Sequence, residues 1–290
     1  MTLDRRSLLL AAGALASGAS GAAPDSNPAL VIRVAKHEAM QDPQIRYVLL
    51  LLRLALERSG QKIEIQSSRN VMVQSRALLE LARPEPSLDV FWTMTNPERE
   101  QQLLPVRIPL DRGLLGWRLL LVRKAELERW AGVHTLEQLA VLQAGQMNDW
   151  PDTAILRANG LRVQTGTHFE SLFGWLAEGR FDYFPRSVLE IGLEALEHGP
   201  QGLVIEPHLM LQYPAALYFF VAPAKPQLHE QLSHGMEALV ADGSLERLWQ
   251  AQFGDIVERY QLRARRLLKL SNPLMPTNAP LARKNLWFGI

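Results

Sequence analysis

Leu30-Val31-Ile32-Arg33-Val34-Ala35 is a short run rich in β-branched residues, and Asp42-Pro43 follows it closely. The run reads as a buried strand, because Val and Ile pack well on a pleated surface. Asp42 offers a capping oxygen, and Pro43 fits the first turn of a helix. Ile45, Val48, Leu49, Leu52, Ala55 and Leu56 then recur at helical spacing, and Gly60 can close that helix in the left-handed conformation. Ile63-Glu64-Ile65 predicts a second strand. Asn70 is expected to cap a helix through Leu78, Leu79 and Ala82 that Pro84 stops, and Leu88-Asp89-Val90-Phe91-Trp92 predicts a third strand. Strands alternating with helices imply a parallel sheet with helices on its faces, since parallel neighbours need a crossover. The fold class is α/β.

The rhythm breaks between Arg107 and Arg118, where Pro109, Gly113 and Gly116 fall close together. Leu119 to Val122 then predicts a strongly apolar strand, and a second β-α series follows. Its strands are expected at 161–163, 181–184, 203–205 and 217–221. Thr167 with Glu170 and Ser187 with Glu190 have the spacing of capping boxes. Two closing helices carry Leu228 to Val240 and Leu245 to Phe253. The pattern is bilobal, with the second half inserted in the first. Residues 28–112 plus 218–290 form lobe one, and 117–214 form lobe two. The tail from Arg263 is expected on lobe one. Such an architecture places ligands in the cleft between lobes, at the carboxyl ends of strands.

The 290 residues include 31 Lys+Arg and 30 Asp+Glu, a formal net charge of +1, which argues against a nucleic-acid partner. The absence of cysteine excludes disulfides, thiolate metal sites and a cysteine nucleophile. Arg5 and Arg6 precede an apolar stretch from Leu8 to Leu15 and then small residues to Ala23, the order of a signal peptide. Arg5-Arg6-Ser7-Leu8-Leu9 also fits a twin-arginine signal. Residues 1–22 are expected to be removed after Ala22, leaving the protein in the periplasm. No other segment approaches the roughly 18 unbroken apolar residues of a membrane span.

Enzyme motifs are missing from the mature sequence. His37-Glu38 lacks the second histidine of a zinc-protease helix, and no Gly-x-Ser-x-Gly elbow or phosphate-cradling glycine loop is present. No metal and no cofactor is expected.

Several segments resemble the periplasmic amino-acid-type solute-binding proteins of ABC transporters. Trp92-Thr93-Met94-Thr95-Asn96-Pro97-Glu98-Arg99 is similar to their strand-to-loop stretch ending in Thr-x-x-Arg or Pro-Glu-Arg. Ile108-Pro109-Leu110, Gly116 and the strand after it resemble their first hinge. Gly179-Arg180-Phe181-Asp182 and the run from Ala241-Asp242-Gly243 to Gly254 resemble their second-lobe strand step and closing helices. The resemblance implies a bilobal periplasmic-binding-protein fold, its lobes joined by a two-strand hinge near 113–116 and 215–217, that captures a small solute by hinge closure. It also implies a monomer that hands the solute to an importer's permease or to a membrane sensor. A free-standing interaction protein and a dehydratase-like or lyase-like enzyme are the other functions that this fold supports.

In this family an arginine at the position of Arg99 holds the ligand's carboxylate, which suits a guanidinium fork. Otherwise Arg99 is a loop residue paired with Glu98 or Glu100. The family's amino-group aspartate falls on Ser187, so a carboxylate or other anion is favoured over an ordinary amino acid. Arg186, just before a helix, either grips a second negative end or is a solvated surface residue. Trp92 either stacks on the ligand or packs in the core. His37, with Glu38, follows the first strand towards the cleft. Trp150 precedes a second-lobe helix, with Asp149 as that helix's expected cap. Arg263, Arg265, Arg266 and Lys269 are expected to form a solvated face.

Overall fold

The computed structural model describes residues 29–289 except Glu38, Ala39, Gln41 and Gln61. The signal segment 1–22 and Glu38 therefore lie outside the described residues. Lobe one opens with β1 (Leu30–Lys36), α1 (Pro43–Glu57), β2 (Ile63–Val71), α2 (Gln74–Leu81), β3 (Val90–Met94), α3 (Pro97–Gln102) and β4 (Leu104–Val106). Lobe two begins with β5 (Trp117–Arg123), α4 (Leu127–Trp130), α5 (Leu136–Ala140), β6 (Gln143–Met147), α6 (Pro151–Ala158) and β7 (Arg162–Gly166). It continues with α7 (Phe169–Ala177), β8 (Tyr183–Ser187), α8 (Ile191–Glu197), β9 (Leu203–Ile205) and β10 (Leu209–Gln212). The chain returns to lobe one as β11 (Leu217–Val221), α9 (Pro226–Ala241) and α10 (Ser244–Phe253), and then forms α11 (Ile256–Arg259) and β12 (Arg266–Lys269).

The first helix forms as its sequence dictates. Asp42 Oδ1 accepts from the Gln44 N–H at 2.7 Å, Pro43 opens the turn, and Gly60 beyond the C-terminus has φ +77°. Its buried stripe includes Val48, Leu51, Leu52, Ala55 and Leu56. α9 crosses it at Gly235, where any Cβ would collide with the Ala55 carbonyl. β1 and β2 pair in parallel, with Leu30 opposite Ile63. β3 lies beside β1 through an Asp89 N–H to Arg33 carbonyl bond of 2.8 Å. β11 fits between β3 and β4, antiparallel to both. In lobe two the order is β12-β10-β5-β8-β6-β7, with β9 also on β5.

Asp89 ties lobe one together. Its buried carboxylate accepts from the Arg33 backbone N–H at 2.7 Å and from Arg33 Nη2 at 2.6 Å, with Lys225 Nζ at 2.5 Å. Burial alone would raise its pKa, but these partners outweigh it and hold the group below its ordinary 3.8. A carboxylate depressed in the folded state adds stability above its unfolded pKa and loses it as pH falls through the folded value. Asp89→Asn is therefore expected to be less stable than wild type near pH 7, with the gap closing as pH drops below about 4. Urea unfolding at several pH values measures that gap, and a gap independent of pH would rule the charge out as its cause.

Two crossings join the lobes. Leu110 N–H donates to the Leu217 carbonyl at 2.9 Å, and Tyr213 N–H to the Gly116 carbonyl at 3.1 Å, so the crossings run side by side. A Cβ at Gly116 would strike the Tyr213 carbonyl. Asp111 turns the first crossing by accepting from Gly113 N–H at 3.0 Å and Leu115 N–H at 2.7 Å, and burial pushes its pKa up to about 6.

Several expectations are corrected. The tail is not confined to lobe one, because β12 pairs in parallel with β10, from Arg266 opposite Leu209 to Lys269 opposite Gln212. Arg265 is not on a solvated face: its guanidinium donates to the carbonyls of Tyr260, Glu206 and Leu209. α7 and α8 start at Phe169 and Ile191 without side-chain caps, so neither expected box forms. Ser187 ends β8 instead, and its Oγ accepts from the Leu189 N–H at 3.2 Å. A capping box is built at Thr135 and Gln138. Asn70 lies inside β2, and α6 follows Trp150 with no side-chain cap from Asp149. Among the described residues, no helix is long and apolar enough to cross a membrane.

Candidate ligand-binding site

The wall from lobe one is built by the end of β3 and the start of α3. Asn96 Oδ1 accepts from the Arg99 N–H at 2.8 Å and Pro97 opens the helix, which sets Arg99 in its first turn. Arg99 Nη1 donates to the Met94 carbonyl at 2.6 Å and to Thr93 Oγ1 at 2.9 Å, and Thr93 donates on to Gln74 at 2.7 Å. Burial lowers the Arg99 pKa, yet a guanidinium keeps its charge near neutral pH. Glu100 does not pair with it, since that carboxylate takes Arg107 at 2.6 Å and Thr95 at 2.7 Å. Among the described residues, Arg99 is in no ion pair. His37 stacks on Trp92 at 4.8 Å, and burial lowers its pKa.

Lobe two contributes charges that are already matched. Arg186 is 3% exposed, with Nε and Nη2 on Glu194 at 2.8 and 2.5 Å and Nη2 3.0 Å from Glu190. Its guanidinium carbon also lies 4.8, 5.1 and 5.0 Å from the rings of Trp150, Phe169 and Phe184. Burial raises the Glu194 pKa, with Arg186 pulling the other way. Arg118, 2% exposed, pairs with Asp152 at 2.6 Å, and the Tyr213 hydroxyl donates to the same carboxylate. Arg118 Nη1 stands 3.8 Å from Glu190 Oε2. Asp152, Arg118, Glu190, Arg186 and Glu194 thus form an alternating chain of charges with one more carboxylate than guanidinium.

These walls enclose a cavity of about 200 Å³ lined by Gln44, Gln74, Trp92, Arg99, Arg118, Trp150, Asp152, Arg186 and Glu190, among others. A neighbouring compartment of about 390 Å³ shares Gln44, Trp92, Trp150, Arg186 and Glu190 and adds His37, Phe169 and Glu194. The five residues singled out in the sequence, Arg99, Arg186, Trp92, His37 and Trp150, therefore meet at one cleft. Arg186 is neither a solvated surface residue nor a free second cation, because Glu190 and Glu194 neutralise it. Arg118, Asp152, Gln44 and Gln74 were not legible as site residues. Glu190 was read only as a capping partner of Ser187. Among the described residues, no group of three or more His, Asp or Glu could hold a metal.

No family model matches the sequence, and no curated protein matches it either. Solved structures match in shape. An ancestral arginine-binding protein bound to arginine aligns with a TM-score of 0.56 at 16% identity, covering 77% of this chain and 98% of that one. The bilobal periplasmic-binding-protein fold is established. An arginine-specific periplasmic binding protein of Salmonella typhimurium shares it with a TM-score of 0.55 at 14% identity, over 77% of this chain and 99% of the other. So does an ABC-transporter binding component from Wolinella succinogenes complexed with lysine, with a TM-score of 0.55 at 16% identity, over 76% and 94% of the two chains. At these identities the likeness is one of fold. The cavity between Arg99 and Glu190 is lined from both halves of this fold.

Proposed function

We propose that this chain is an exported solute-binding protein. It captures a small carboxylate-bearing solute between its lobes and presents it to the permease of an ABC importer. The observation that carries the reading is Arg99, a half-buried guanidinium in the cleft with no carboxylate partner among the described residues. Desolvated charge of this kind is stabilised by a ligand that brings the opposite charge. The neutralised Arg186 removes the basis for a ligand gripped by two cations. Glu190, in a cluster with surplus negative charge, favours a hydrogen-bond donor at the solute's other end. An amino acid satisfies both walls, and the solved relatives with this fold include proteins bound to arginine and to lysine.

Thermal unfolding of the mature protein against amino acids, dicarboxylates, sugar acids and polyamines tests this. A ligand at a hundredfold its Kd adds about 2.7 kcal/mol, or roughly 5–10 °C at this size. The largest shift is expected from an amino acid, which should be recovered unchanged afterwards. A dicarboxylate shifting more would overturn the assignment of Glu190. No shift from any class, with protein shown to be free of co-purified solute, would favour an interaction protein on the same fold.

A further inference from the structure

The chain beyond α10 passes between the lobes twice more. Ile256 of α11 is buried, and Tyr260 rests on α8, where a Cβ on Gly192 would strike its hydroxyl. Arg265 then staples the tail to the entry of β10 through the carbonyls of Glu206 and Leu209, at 2.5 and 3.1 Å. β12 joins the sheet of lobe two, and Ser271 is fixed to the end of α6 by bonds of 2.9 and 2.8 Å with Asn159. Next, Asn272 Nδ2 donates to the Pro214 carbonyl at 2.7 Å, on the second crossing.

The return to lobe one is equally anchored. Arg283 forks onto Glu237 of α9 at 2.6 and 2.9 Å. Phe288 N–H donates to the Arg112 carbonyl at 2.7 Å, and its ring lies 5.5 Å from Trp117 and 5.2 Å from Trp249. Trp287 lies so close to the first crossing that a Cβ on Gly113 would be 2.7 Å from its ring.

Two crossings alone permit one lobe to swing on the other, with only a few residues absorbing the change in backbone angle. Here the swing also has to separate β12 from β10, Tyr260 from α8, or the 283–288 segment from lobe one. We propose that residues 256–289 form a strap that holds the lobes within a narrow range of angles, so that the cleft keeps its shape before any solute arrives. Such restraint raises the fraction of molecules ready to bind and confines the expected hinge closure to small rotations.

The test needs no solute, so it stands apart from the ligand assignment. The sequence has no cysteine. Glu57→Cys at the end of α1 and Val141→Cys after α5, both exposed, therefore place one spin label on each lobe of the full chain. Pulsed electron paramagnetic resonance is expected to give one narrow distance. Combining Arg265→Ala with Trp287→Ala should broaden the distribution and shift it to longer distances. Ending the chain after Gly254 should extend that shift, and the substituted full-length chain decides the matter if the shortened one does not fold. A broad or two-peaked distribution in the intact protein would overturn the strap. So would a folded Arg265→Ala/Trp287→Ala chain that keeps the narrow distance.

Discussion

Arg99→Ala is expected to weaken solute binding by about 2–4 kcal/mol, a loss of roughly 30- to 900-fold. The size follows from the setting. The guanidinium is half-buried between Thr93 and Met94 with no carboxylate partner among the described residues, so a ligand carboxylate becomes its counter-charge. Arg99→Lys should fall between wild type and Ala, because an ammonium keeps the charge but cannot present two parallel donors. The residue also has a structural part, since its removal leaves the Met94 carbonyl without that donor. That part is worth about 1 kcal/mol by the usual cost of a hydrogen bond and affects the solute-free protein. Calorimetric titration with the solute found by thermal unfolding, beside the melting temperature of the solute-free variant, separates the two effects. Unchanged affinity in Arg99→Ala would remove the residue from the site.

What the sequence revealed follows the range of the interactions involved. α1 was legible because its cap, its proline, its apolar stripe and its closing glycine all lie within one short segment. β11 was legible because all five of its residues are buried and therefore apolar. β12 was not, since Arg266-Leu267-Leu268-Lys269 acquires its meaning from β10, more than fifty residues earlier. β10 was missed for a similar reason, being defined by partners on both sides. At the site, Arg99 was singled out by the resemblance of residues 92–99 to a family stretch, and the Asn96 cap sets it in the first turn of α3. Arg186 lines the cavity, but its charge is matched rather than free. Its partners, Glu190 and Glu194, are near in sequence, yet the turn between β8 and α8 is what brings them onto it. The capping-box spacings misled because Ser187 is still the last residue of β8, and Thr167 stands one residue too early, with His168 at the cap position of α7.

Arg118→Ala should be among the most destabilising single changes in lobe two. It would leave Asp152, 4% exposed, with only the Tyr213 hydroxyl donating to its carboxylate among the described residues. Removing one member of a buried ion pair costs about 3–5 kcal/mol, because the remaining charge is left desolvated. At this chain length that amounts to a drop of roughly 6–20 °C in melting temperature. The position matters as much as the burial. Arg118 is the second residue of the strand after the first crossing, Tyr213 precedes β11 in the second, and Asp152 lies in the first turn of α6, so the three join both crossings to the cavity wall. Arg118→Met with Asp152→Asn should recover much of the loss, since a buried pair often contributes little relative to a matched neutral replacement. Comparing the double variant with each single one, in the absence of solute, isolates the coupling. Additive losses would mean that the two side chains act independently. An Arg118→Ala chain that melts with the wild type would mean that water reaches Asp152 and that the floor of the cleft is wetter than its burial implies.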